Sequence, residues 1–337
     1  MTEHFTRRAA VAAGAAASAG AAFGLTSAAQ AAQNAPDVVA ASVAGGEIIE
    51  LWPDKIPGDL GSTITRRVET RQFGSNPPDR WVFGVPRPLM VALRPPKPDG
   101  SAALVMPGGS YAFESFDNEG LAQARWLLAR GTTVFVLMYR LPSEGWGDRH
   151  LVPLQDAQRA MRLIRARAAS FGVDRARVMA LGFSAGGHLC GSLATRFAQG
   201  TYAPVDAVDQ FSARPDLAAL LYPVVNLLPP LVHPESRDHL LGAGASEAQC
   251  RAASVDTNVS AQTPPVFLVH AADDGLVPVG NSIALFQAAQ ALGRPVDMHI
   301  YATGGHGFGV NLPPSQPAAV WPLLLAKFAM AQGVMRA

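Results

Sequence analysis

A single doubly wound, mostly parallel α/β sheet, with helices on both faces and one small excursion over its top, is the architecture this sequence predicts. Three observations carry that reading. Short apolar runs alternate with helical patterns from Gly46 onward. Two of those runs, Ala102–Met106 and Arg177–Phe183, lead into glycine-containing turns. Hydrophobic residues make up 49% and charged residues 16% of the 337, which fills a large core and excludes a disordered interaction protein.

The formal net charge is +1, and Arg7, Arg8 and Glu3 account for all of it. The remainder is balanced, so no basic surface for nucleic acid is expected. Two cysteines, Cys190 and Cys250, cannot make a disulfide framework, and no C-x-x-C occurs. The expectation is two unpaired thiols, with a bridge in an oxidising compartment left open.

The elements follow in order. Thr6-Arg7-Arg8, a weakly apolar Ala/Gly run and Ala29-Gln30-Ala31 have the make-up of an export signal of the twin-arginine type over residues 1–31. The run is too rich in alanine for an anchor, so no stable membrane insertion is expected and the chain reads as periplasmic or extracellular. Residues 32–45 are a small, polar linker, and 46–334 one domain. Ile48–Trp52, Leu89–Leu93, Ala102–Met106 and Thr133–Tyr139 read as strands, with a Pro/Gly/Arg-rich stretch of uncertain structure between the first two. Phe116–Arg130 reads as a helix closed by Gly131. Pro153 opens another, whose stripe of Leu154, Ala157, Met161, Ile164 and Ala168 faces inward and whose Arg159, Arg162 and Arg167 form a solvated face. Strands Arg177–Phe183, Leu217–Val225, Val266–His270 and Val296–Tyr301 follow. Helices are expected over 185–198, 279–292 and 317–331, with 226–263 a loop-rich excursion free of sheet.

Gly182-Phe183-Ser184-Ala185-Gly186 is a G-x-S-x-G pentapeptide between a buried strand and a helix. A turn that tight pushes Ser184 out at the carboxyl edge of the sheet, with a helix N-terminus beneath it to stabilise negative charge. Serine needs a base. Of eight histidines, His306 stands in the flexible Gly304-Gly305-His306-Gly307-Phe308 loop after the last strand, which satisfies the order Ser…Asp…His. His188 lies on the helix of the serine and reads as a packing residue. The orienting carboxylate comes after Val266–His270, where Asp273 and Asp274 are adjacent; the D-x-x-V-P spacing favours Asp274, with Asp273 bracing the loop. Ala185 and the Gly109-Ser110 pair of Pro107-Gly108-Gly109-Ser110-Tyr111 are the expected amide donors to an oxyanion. Tyr111 and Phe113 follow at once and are expected beside the acyl group, as substrate-binding residues of a short pocket.

These motifs, with Met138-Tyr139-Arg140-Leu141 and Leu154-Gln155-Asp156-Ala157, resemble those of the bifunctional acetylxylan/feruloyl esterase-like α/β-hydrolases over about residues 48–330. The resemblance implies the α/β-hydrolase fold and a secreted serine carboxylesterase acting on acetyl groups of plant polysaccharides or on small esters. It carries roles over to Ser184, Asp274, His306 and the oxyanion loop, where Pro107 replaces the histidine of the H-G-G-G motif and Ser110 a common glycine.

Two other readings stay open: a serine exopeptidase of the prolyl-oligopeptidase type, and a non-catalytic binding protein on the same fold. No cofactor motif occurs. The ligand-rich His233 to His239 segment fits no standard zinc spacing, so no metal is expected. The expected partner is a small-molecule or carbohydrate ester; the sequence does not speak to oligomeric state.

Overall fold

The computed structural model describes residues 38–336 except 59, 62 and 73–76, so the expected signal, 1–31, and the first part of the linker lie outside it. One helical turn, α1 (Val38–Ala41), belongs to a unit ending at Ser42, and the body begins at Val43.

Eight strands form the main sheet of the body: β1 (Glu47–Glu50), β4 (Leu89–Leu93), β7 (Thr133–Met138), β5 (Ala102–Met106), β8 (Val178–Phe183), β9 (Leu217–Leu221), β10 (Val266–Ala271) and β11 (Val296–Tyr301), in that spatial order. β1–β4 and β4–β7 pair antiparallel, and every later pair is parallel. The central strands are continuous apolar runs because layers cover both of their faces; every residue of β5, β7, β8, β9 and β10 is buried. The edge strand β11 is half exposed. Helices α2 (Ala122–Leu128), α3 (Val152–Ala166), α4 (Ala168–Phe171), α5 (Ser184–Arg196), α8 (Gly280–Ala291) and α9 (Trp321–Ala331) provide the crossovers and the last layer. The excursion after β9 holds two short helices, α6 (Pro234–Leu241) and α7 (Glu247–Ala253), and no strand. Cys190 and Cys250 are buried free thiols.

Three expectations change. The stretch of uncertain structure contains β2 (Arg67–Arg71) and β3 (Asp79–Phe83), which pair antiparallel; the two-residue β6 (Glu114–Ser115) completes a second sheet. β2 is Arg-Val-Glu-Thr-Arg and largely exposed, so it carries no apolar alternation for a sequence reading to detect. The single helix expected over 116–130 is a π turn, Phe116–Leu121, running into α2, with the Ala122 N–H bonded back to Asp117 O. Asp79 anchors that turn: its Oδ1 accepts the Asp117 and Asn118 amides at 3.0 and 2.9 Å. The arginine face of α3, expected to be solvated, is largely covered, though Arg167 stays half exposed. Arg159 is buried, donating to Leu51 O at 2.8 Å and to both oxygens of Asp206 at 2.8 and 2.6 Å. Arg162 reaches Phe211 O and the Tyr202 hydroxyl, and Arg167 pairs with Glu47. Acids and carbonyls from distant segments cover the helix, so its charges are neutralised rather than hydrated.

Candidate active site

Ser184 is the first residue of α5, at φ +52°, directly after β8. The turn needs its glycines. A Cβ on Gly182 would come within 2.2 Å of Gly186 O, and one on Gly186 within 2.2 Å of Met106 O, so strand and helix close on each other only without side chains there. Among the described residues the non-glycine positions with positive φ are Ser110, Tyr111, Ser184 and Tyr222, and all four border this site. Such conformations persist only where the surrounding packing dictates them.

Three side chains from three loops meet at the carboxyl edge of the sheet. Ser184 Oγ lies 2.9 Å from His306 Nε2, and His306 Nδ1 lies 2.7 Å from Asp274 Oδ2. The carboxylate accepts the Nδ1–H, leaving Nε2 free to accept the serine proton. Asp274 is itself held: Oδ1 accepts the Leu276 and Val277 amides at 2.9 Å each, and His270 Nε2 lies 3.2 Å from Oδ2. Burial alone would push the Asp274 carboxyl up. The hydrogen bonds from His270 and His306, the charge of His306 and the Val277 amide outweigh it and hold the group well below the usual carboxylate range. Asp273 is turned elsewhere, accepting the Gly305 N–H at 2.8 Å.

The loop after β5 folds over Ser184. Its Gly108 N–H donates to Glu119 Oε2 at 2.8 Å, while the Ala112 and Phe113 amides both donate to Gly109 O. Those bonds leave the Gly109 and Ser110 amides available as candidates for an oxyanion, beside that of Ala185 at the N-terminus of α5. His239 Nδ1 donates to Ser110 O at 2.9 Å, fixing that peptide from the excursion side.

A cleft of about 480 Å³ opens over Ser184, lined among others by Trp81, Phe113, Glu119, His233, His306 and Phe308. Phe113 lines it, stacked on Trp81 with ring centroids 3.9 Å apart. Tyr111 does not. It is 1% exposed, and its hydroxyl reaches inward to His188 Nδ1 at 2.8 Å, because φ +60° turns its side chain away from the cleft. His188 Nε2 donates to Ala253 O at 2.9 Å, and burial lowers its pKa to about 4, so it is a neutral packing residue and no base.

The two histidines of the ligand-rich segment are each engaged separately, His239 as above and His233 as the cap of α6, accepting the Ser236 amide on Nδ1. Among the described residues no group of three His, Cys, Asp or Glu is placed to hold a metal. Trp81, Glu119, Tyr222 and His233 were not singled out for this cleft from the sequence. Trp81 in β3 and Tyr222 just after β9 come from segments far from the oxyanion loop, Glu119 from the turn just after it, and His233 from the excursion.

A family model named BD-FAE matches residues 95–289. An acetylxylan esterase of Xylanibacter ruminicola is 32% identical over 224 residues, 65% of this chain and 43% of that protein. Endo-1,4-β-xylanase B of Butyrivibrio fibrisolvens is 34% identical over 207 residues, 61% of this chain and 32% of its own. The chain thus spans less than half the length of these curated relatives. Among solved structures, an acetyl ester-xyloside bifunctional hydrolase from Caldicellulosiruptor lactoaceticus superposes with a TM-score of 0.72 at 32% identity, over 88% of this chain and 99% of that one. A carboxylesterase from Lactobacillus plantarum superposes at 0.62 and 23% identity, over 80% and 99%, a likeness of fold.

Proposed function

This chain belongs to the BD-FAE family and has the α/β-hydrolase fold, and from that premise we propose that it is a carboxylic ester hydrolase that removes acetyl groups from carbohydrate esters through a Ser-His-Asp acyl-enzyme mechanism. The hydrogen-bonded line Ser184–His306–Asp274, opening on a cleft beside the Gly109–Ser110 loop, is the observation that carries the reading. Ser184 Oγ attacks the ester carbonyl while His306 Nε2 takes its proton. The carbonyl oxygen becomes an oxyanion, met by the amides of Ala185 and of Gly109 or Ser110. As the C–O bond to the alcohol breaks, His306 returns the proton to that oxygen and the acetyl group stays on Ser184. Water, deprotonated by His306, then releases acetate and restores the serine. Asp274 holds the ring in the tautomer these steps need and stabilises the imidazolium between them.

The substrate class is supported by two features. The relatives above carry acetylxylan and xyloside in their names, and the stacked Trp81–Phe113 pair at the cleft puts aromatic bulk beside the acyl group, which suits one as small as acetyl. Assay of the mature protein on p-nitrophenyl acetate, acetylated xylan and an aminoacyl anilide tests the reading. Acetate release from the first two, lost by several orders of magnitude in a folded Ser184→Ala variant, is the expected result. Anilide cleavage in preference to both esters would overturn it in favour of an exopeptidase.

The segment 1–31 is proposed as a twin-arginine export signal, 32–45 as a linker and 46–334 as the catalytic domain. Mass spectrometry of exported protein should find a mature terminus near Ala32, and changing Arg7 and Arg8 to Lys should keep the protein inside the cell.

A further inference from the structure

Glu119 is a buried carboxyl that the line Ser184–His306–Asp274 does not use. The π turn brings it inward, 4% exposed, into the wall of the cleft. Its two oxygens serve two different loops. Oε2 accepts the Gly108 N–H of the oxyanion loop at 2.8 Å. Oε1 accepts the Tyr222 hydroxyl at 3.0 Å, and that hydroxyl oxygen accepts the Gly309 N–H, also at 3.0 Å, from the loop that carries His306. The Tyr222 ring meets the His306 imidazole edge to face at 5.0 Å and the Phe308 ring at 4.7 Å.

Tyr222 holds this place at φ +38°, a conformation an L-residue adopts only under constraint. The constraint is visible on both sides: its N–H donates to Val269 O at 2.7 Å, and two residues later the Val224 N–H donates to Ser184 O at 3.1 Å. One carboxylate and one strained tyrosine therefore tie together the nucleophile turn, the oxyanion loop and the histidine loop. Acyl transfer requires the oxyanion amides and the imidazole to hold a common distance from one carbonyl, and misplacement by about 1 Å costs up to about a hundredfold.

We propose that Glu119 and Tyr222 are positioning residues, a bracket that sets the oxyanion loop against His306. The proposal rests on the reading of Ser184 and His306 as the reacting pair. The groups facing Glu119 are the Gly108 amide, the Tyr222 hydroxyl, His306 and Asp79.

Tyr222→Phe, which keeps the ring and removes one hydroxyl, is the decisive variant; Glu119→Gln and the double variant complete a cycle on p-nitrophenyl acetate. Each single change should lower kcat by about 10- to 100-fold with KM within about threefold, and the double variant should be no worse than the worse single. A kcat loss at near-constant KM, in variants whose circular dichroism matches the wild type, is what a packing role would not produce. Wild-type kcat in Tyr222→Phe, losses that multiply or a loss confined to KM would each overturn the bracket while leaving an active wild type. A wild type without ester turnover would overturn the underlying reading and the bracket with it.

Discussion

Replacing Asp274 by asparagine exchanges one carboxylate oxygen for an NH2 group, and the neighbouring amides decide which end that group takes. The Leu276 and Val277 N–H groups donate to Oδ1 at 2.9 Å each, so the new carbonyl oxygen is drawn to their side. The NH2 group then occupies the position 2.7 Å from His306 Nδ1. Two donors cannot face each other there, so Nδ1 must become the acceptor and the ring proton moves to Nε2. That is the nitrogen 2.9 Å from Ser184 Oγ, and in this tautomer it cannot take the serine proton. The NH2 group also meets His270 Nε2, which donates to Val277 O and so cannot relieve the conflict. The same substitution in the well-studied serine protease triad costs about 10⁴ in kcat, or about 5.5 kcal/mol of barrier, and a loss of that order is expected here. Asp273→Asn differs in kind: its carbonyl oxygen continues to accept the Gly305 N–H. Its effect should stay within about threefold, the scale of an ordinary exposed substitution. Steady-state kcat for p-nitrophenyl acetate, with a circular dichroism melt to establish folding, measures both. A larger loss in Asp273→Asn, or a folded Asp274→Asn keeping more than about a tenth of turnover, would refute the reasoning.

The Trp81–Phe113 stack at the cleft limits acyl length, so kcat/KM should fall steeply from acetyl to butyryl and be negligible by octanoyl; a profile peaking at octanoyl would refute it. Phe113→Ala should broaden that profile, whereas Tyr111→Phe, buried against His188, should leave it unchanged. Arg140 and Asp156 form a fully buried ion pair, which also receives the Trp52 indole N–H. Arg140→Met should cost about 3–5 kcal/mol in urea unfolding by leaving the carboxylate unpaired, and a cost below about 1 kcal/mol would show that Asp156 finds other partners. Burial pushes the Glu119 carboxyl up to about 7 from its ordinary 4.5, against the charge of His306 and the bonds from Gly108 and Tyr222. The folded state therefore binds this proton more tightly than the unfolded chain. The contribution of this one group to stability is therefore greatest below pH 4.5 and is lost as pH rises through 7. Glu119→Gln should remove that decline, and a wild-type-minus-variant difference independent of pH would exclude it.

Local pattern alone was enough for the parallel sheet and for the turn at Ser184. Continuous apolar runs such as Leu217–Leu221 carry their burial in their composition, and Gly182 and Gly186 flank the serine within five residues. The order of serine, aspartate and histidine along the chain likewise narrowed eight histidines to His306. What the sequence left open were matters of direction. Asp273 and Asp274 are neighbours with the same side chain, and only the path of the loop sends one to His306 and the other to the Gly305 amide. Tyr111 looked placed for substrate by its distance from the oxyanion glycines, but one positive φ turns it into the core. Arg159 looked solvated because its acidic partner Asp206 lies 47 residues away and arrives only when the chain closes over α3. Glu119 gave no sign at all, since its burial follows from a π turn anchored on Asp79 and from partners 11 and 103 residues distant. Periodicity reports which way a face points within one element; which groups two elements bring together depends on backbone torsions and long-range closure, and those exist only in the folded chain.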